Sequence, residues 1–133
     1  MIDDVVLLKR DNRAPIIFQR GELTIYHLPV ESGFISFNFE FEITQLQLSI
    51  LQKDKERYYF LFAALHHPFQ LKKTHLTKTE VEMYFQKILH EGKQSTEEFL
   101  NLLDKQCNGC ISNFVRIYLG REVSFLKLGK WFE

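Results

Sequence analysis

A chain of 133 residues, 45% hydrophobic and 26% charged, has the size and composition of one globular domain. Such a chain can bury roughly 70% of the surface that its unfolded form exposes, so disorder and a need for metal or disulfide staples are not expected. Seventeen basic residues balance seventeen acidic ones, which removes any global attraction to nucleic acid or anionic lipid.

The N-terminus, "MIDDVVLLKRDNR", has acids where a secretory signal carries its basic region. The longest membrane-like stretch, "YYFLFAALHHPF", falls short of the ~20 apolar residues that cross a bilayer. A cytoplasmic location is the expectation. Thirteen Phe supply large rigid groups for a small core, and no repeat, low-complexity tract or linker divides residues 1–133 into more than a single domain.

Hydrophobic periodicity separates a strand-rich first third from a helix-rich remainder. Val5 to Leu8 reads as a short edge strand. "PIIFQRGELTIYHL" reads as two strands around an Arg20-Gly21 turn, which pairs Gln19 with Glu22, Phe18 with Leu23 and Ile16 with Ile25. A looser turn through "PVESG" leads to "GFISFNFEFEI". Its odd positions, Ile35 to Ile43, are all apolar, while Ser36, Asn38, Glu40 and Glu42 face the other way. Setting Leu28 opposite Phe34 puts Ile25 against Phe37, Leu23 against Phe39 and Glu22 beside Glu40.

Thr44 to Leu51 fits a short helix begun by Thr44 or a prolonged strand, the helix being favoured. Asp54 caps a helix in which Tyr58, Leu61, Phe62 and Leu65 share a face and which Pro68 ends. Thr77 with Glu80 and Ser95 with Glu98 form capping-box patterns for two more helices, bounded by Gly92 and by Asn108-Gly109. Residues 111–119 fit either period and are read as helix, because Gly120 is placed to stop one. Glu122 to Leu128 reads as a final strand. The fold class is therefore α+β, with an antiparallel sheet from the N-terminal third plus a C-terminal strand, one face packed by three to five helices.

Motifs for chemistry are sparse. No glycine-rich fingerprint follows a strand, so nucleotide chemistry has no support. Cys107-Asn-Gly-Cys110 could close a redox disulfide or give half of a zinc site, but no second ligand pair at metal-binding spacing exists. Two ordinary thiols near a turn are the favoured reading, and neither metal nor cofactor is expected. His66-His67-Pro68 at a helix end suits the negative end of the helix dipole. "KDKER" at 53–57 and "LKK" at 71–73 read as solvated helix edges.

The distinctive feature is electrostatic. Between Arg20 and Lys53 there is no Lys or Arg, whereas Glu22, Glu31, Glu40 and Glu42 all fall there. A solvated face explains such a run. So does a partner-binding surface, since like charges opposite each other across strands cost up to about 1 kcal/mol and a basic partner could relieve them. Lys9 or Arg10 on a neighbouring strand could also neutralise the pair.

The aromatic-rich strand region, the "DKERYYFLFAALHHP" and "LTKTEVEMYFQKIL" helices and a closing strand with Trp131 resemble the immunity proteins of bacterial contact-dependent growth inhibition and related polymorphic toxin systems. The resemblance implies a non-catalytic cytoplasmic protein that neutralises one cognate toxin domain, commonly a basic nuclease, with no membrane or direct nucleic-acid partner. Glu40 and Glu42 are then the first partner-binding candidates, followed by Glu22 and Glu31. Two other readings stay open. A small-ligand or nucleic-acid-binding module would use an open sheet face with Tyr26 or Phe34, and a small enzyme would need His66, His75 and Cys107 brought together.

Overall fold

A computed structural model describes residues 4–32, 34–70 and 76–133. The fold is α+β, and the chain forms two compact units, Met1–Lys53 and Asp54–Glu133. His75 and the "LKK" cluster lie outside the described residues.

The first unit is an antiparallel meander of β1 (Val5–Lys9), β2 (Ile16–Arg20), β3 (Leu23–Ser32) and β4 (Ile35–Ile43), in spatial order β1-β2-β3-β4, followed by α1 (Gln45–Lys53). Both expected registers are corrected. Gln19 pairs with Thr24 and Phe18 with Ile25, because the turn residues are Gly21-Glu22 rather than Arg20-Gly21. Gly21 has φ +63°, and a two-residue turn with glycine first matches the strand twist, whereas an Arg20-Gly21 turn of this class would force arginine into the left-handed region.

The second correction is larger. Leu28 lies opposite Phe39, Tyr26 opposite Phe41 and Val30 opposite Phe37, so β4 shares its aromatic face with the even residues of β3, not with Leu23 and Ile25. "PVES" is part of β3 rather than a loop. Its proline is tolerated because the β2 register ends at Ile16 opposite His27, leaving β3 with β4 alone as its ladder partner around Pro29. Ile17, Tyr26, Leu28 and Val30 on this face are fully buried.

Thr44 starts α1 as expected: its hydroxyl accepts from Gln47 N (3.1 Å), and the Gln47 side chain accepts from Thr44 N (2.9 Å). Gln45 donates to Thr24 Oγ1 at 2.9 Å. At the far end of α1, Arg10 donates to the carbonyls of Leu51 and Gln52 at 2.9 and 2.8 Å. A cation on the last carbonyls satisfies the helix terminus and fixes α1 to the β1–β2 turn.

The second unit contains α2 (Lys55–Gln70), α3 (Lys78–Phe85), a π-helical turn at Gln86–His90, α4 (Lys93–Gln106), α5 (Cys110–Leu119) and α6 (Val123–Lys127). Residues 57–65 of α2 are buried without interruption, as befits a central helix apolar on every side. Asp54 Oδ1 accepts from Arg57 N, and Thr77 forms its capping box with Glu80. Gly120, at φ +67°, ends α5.

Three expectations fail. Pro68 lies inside α2, which runs on to Gln70. Ser95 starts no helix: α4 begins at Lys93 behind Gly92, and the Ser95 hydroxyl instead bonds Glu91. The expected C-terminal strand is α6, so the sheet is entirely N-terminal. The apolar residues of this segment do not line one strand face, since Leu126 is buried while Phe125 and Leu128 are exposed.

Arg57 is 9% exposed and ties these helices together. Its guanidinium donates to Ile88 O (2.8 Å) and Thr96 Oγ1 (3.1 Å), pairs with Asp54 Oδ2 (3.1 Å) and lies 4.9 Å from the Phe132 ring centroid. Thr96 in turn donates to Lys87 O at 2.7 Å. The carbonyls that the helix leaves behind when it ends at His90 are thus met by two side chains from other helices. Trp131 closes the unit: its indole N–H donates to Asn101 Oδ1 (2.8 Å), its backbone N–H to Glu97 Oε2 (2.6 Å), and it stands edge-on to Phe60.

Arg57→Ala should cost about 3–5 kcal/mol, because it leaves Asp54 and the Ile88 carbonyl without their buried partner. Trp131→Ala should cost a similar amount through lost aromatic volume, about 3–5 kcal/mol. Urea denaturation followed by helical circular dichroism measures both, and a loss below about 1 kcal/mol for Arg57→Ala would mean that the guanidinium is dispensable.

Candidate functional site

The pleat sends Phe18, Arg20, Ile25, His27, Glu31, Asn38, Glu40 and Glu42 to the side of the sheet opposite the buried Tyr26 face. Three of the four glutamates singled out in the sequence therefore share one surface. Glu40 lies opposite His27, Glu42 opposite Ile25 and Glu31 opposite Ser36, and all three are exposed. Glu22 is also exposed but occupies the β2–β3 turn. The expected side-by-side placement of Glu22 and Glu40 does not occur, because the β3–β4 register differs from the expected one by an odd number of residues.

Glu40 meets a cation instead. Arg20 Nη1 and Nη2 lie 3.1 and 3.2 Å from its two carboxylate oxygens, a forked geometry, while Arg20 Nε lies 3.2 Å from Asp4 Oδ1. The guanidinium rests 4.9 Å above the Phe18 ring. His27 extends the network, with Nδ1 3.6 Å from Glu40 and Nε2 3.2 Å from Asn38 Oδ1. Neutralisation thus comes from Arg20, two strands away, while Arg10 is engaged by the α1 carbonyls. Lys9, opposite Ile16, is exposed on the same side.

Hydrogen bonding to Arg20 is the main reason why the Glu40 carboxyl titrates below the usual glutamate range; the Arg20 charge and His27 act in the same direction against a modest desolvation. The reciprocal contacts with Asp4 and Glu40 raise the Arg20 pKa. Glu40 is therefore a fixed, ionised acceptor, with Glu42 two residues further along the same face.

A second feature lies in the helical unit. Cys107 and Cys110 form a disulfide rather than two separate thiols, and among the described residues no group of three or more His, Cys, Asp or Glu could hold a metal ion. The turn closes because Asn108 and Gly109 adopt φ of 57° and 83°, and Asp104 Oδ1 caps α5 by accepting from Ser112 N at 2.7 Å. Cys107 borders a cavity of about 190 Å³ together with His67, Pro68, Tyr84 and Ile111. Pro68 has no N–H to give Ala64, which lines the same cavity. His66 packs against Phe62 and Phe114. Of the two aromatics considered for an open face, Tyr26 is fully buried and Phe34 fully exposed.

No family model, curated protein or solved structure matches the chain.

Because folding lowers the Glu40 pKa, the unfolded chain takes up this proton more readily. Its stabilising contribution is complete above the ordinary glutamate value of 4.5 and is lost as pH falls through the lower native value. Glu40→Gln should accordingly flatten the pH dependence of Tm as pH falls below about 5, as measured by thermal melts. Identical slopes in wild type and variant would refute the depressed native pKa. Reducing the four-residue Cys107–Cys110 loop should cost about 2 kcal/mol of loop-closure stabilisation, read from unfolding with and without reductant.

Proposed function

We propose that the chain is a non-catalytic immunity protein that binds and neutralises a cognate bacterial toxin domain of basic character, such as a nuclease, through the outer face of its sheet. The observation that carries this reading is the common exposure of Glu31, Glu40 and Glu42 on one side of β3 and β4. With Asp4 they oppose only Arg20 and Lys9 among the described strand and strand-edge residues of that side.

Rigid strands hold these groups at fixed spacing, and Arg20 holds Glu40 in one orientation, so little ordering is required on binding. A basic partner would be steered by the local field and would meet Glu42 and Glu31 as charges already in place. The proposed interface requires no cofactor, membrane or nucleic acid. In the proposed cytoplasmic setting, a reducing compartment would hold Cys107 and Cys110 as a dithiol, and nothing in the acidic face depends on their state.

The partner to test is a toxin-like C-terminal domain encoded directly upstream. Co-expression of this chain should relieve growth inhibition by that domain. Glu42→Lys should leave the melting temperature nearly unchanged, slow association by about threefold and weaken its salt dependence. Association kinetics at two ionic strengths measure this, and unaltered rates would reject the acidic face as the interface.

A further inference from the structure

The two edges of the sheet differ. β1 has five residues, carries Lys9 and is interrupted by a register shift between Val6 and Leu8. β4 pairs with β3 through nine consecutive residues without a shift, and Ile35–Ile43 contains no Lys, Arg or Pro. Short length, charged side chains (lysine above all), proline and bulges are the usual devices that stop a strand edge from pairing. β1 has three of the four, whereas β4 has only the charges of Glu40 and Glu42.

We propose that this edge pairs with a second copy of the chain, β4 against β4 in antiparallel fashion, about a two-fold axis through Phe39. The sequence of the strand is self-complementary in that register. Phe39 meets its own counterpart, Phe37 meets Phe41 of the second copy, and Ile35 meets Ile43, so every apolar residue faces another. On the opposite face each carboxylate meets a neutral polar group: Glu40 faces Asn38, and Glu42 faces Ser36.

Neighbouring registers that keep the aromatic faces of both copies on one side are worse. An axis through Glu40 sets that residue against itself, and one through Phe41 sets Glu40 against Glu42 twice. An axis through Asn38 avoids both conflicts but leaves Ile43 without an apolar counterpart and places Glu42 opposite Phe34. Since like charges directly opposite are destabilising and aromatic pairs are favourable, the Phe39 axis is selected on both faces at once. Phe37, Phe39 and Phe41 are only half-buried, and Ile35 is 50% exposed, so apolar surface remains to be covered along this edge. The dimer would continue the acidic face of one copy into that of the other.

The test is sedimentation equilibrium of the full chain without any toxin, so that its outcome is independent of the immunity proposal. Wild type should sediment at twice the chain mass of 15.9 kDa. Asn38→Glu places a carboxylate opposite Glu40 of the other copy, twice by symmetry, and should raise the dimer dissociation constant about tenfold, whereas Asn38→Lys should lower it about tenfold. Both variants lose the Asn38 contact to His27, and thermal melts of each establish that the fold persists. A monomeric wild type at concentrations on the order of 100 µM would overturn the proposal. So would Asn38→Glu and Asn38→Lys dissociation constants that stay unmoved or shift in the same direction.

Discussion

Nine residue pairs hold β3 to β4, and their register decides what each side of the sheet presents. A strand has a side-chain period of two, so displacing one partner by an odd number of residues exchanges its faces. With Leu28 opposite Phe39, the aromatic residues of β4 join the buried Tyr26 face, and Glu40 comes opposite His27 and within reach of Arg20. The charge network, the exposure of Glu42 and Glu31 and the polarity of the β4 edge all follow from that alignment. The turn fixes the neighbouring pair in the same way, since the left-handed backbone at Gly21 determines which residues of β2 and β3 meet.

The helical unit rests on a different constraint. A helix that ends inside a packed unit leaves carbonyls that water cannot reach, and here Arg57 and Thr96 serve those of Ile88 and Lys87. One buried guanidinium thereby links α2, the π-helical turn and α4, and its outer side is covered by Phe132. The C-terminal residues are consequently part of the packing. Gly129 allows the close approach of Asn101, because any Cβ there would lie 2.8 Å from the Asn101 amide nitrogen.

Strand and helix existence was legible wherever periodicity was long or a cap was explicit. The Thr44 and Thr77 caps, the apolar run of α2 and the Gly120 stop are local signals that need no tertiary information. Register was less legible, because β3 carries apolar residues of both parities, Leu23 and Ile25 against Tyr26, Leu28 and Val30, so hydropathy alone does not say which set joins the aromatic face of β4. For β2 and β3 the decisive fact, the single low-cost position for Gly21 in a two-residue turn, is a matter of backbone conformation rather than hydropathy. Pro29 misled by suggesting a loop where β3 had simply outrun its neighbour β2. The segment around Leu126 alternates like a strand yet buries only one of its large apolar residues. For the site, the shared side of Glu31, Glu40 and Glu42 was visible in part, whereas the Arg20 bridge depended on the corrected register. The cavity beside His67 joins residues from α2, α3, α4 and α5, and no sequence spacing encodes that meeting.

The register shift in β1 carries a consequence for assembly. A sheet with two receptive edges can add copies without end, each new molecule presenting the same template as the last. One that is interrupted at β1 and open only at β4 exhausts its capacity after a single encounter. The extra residue near Leu7, with the shortness of β1 and the charge of Lys9, therefore acts as a terminator that separates a closed pair from a fibre.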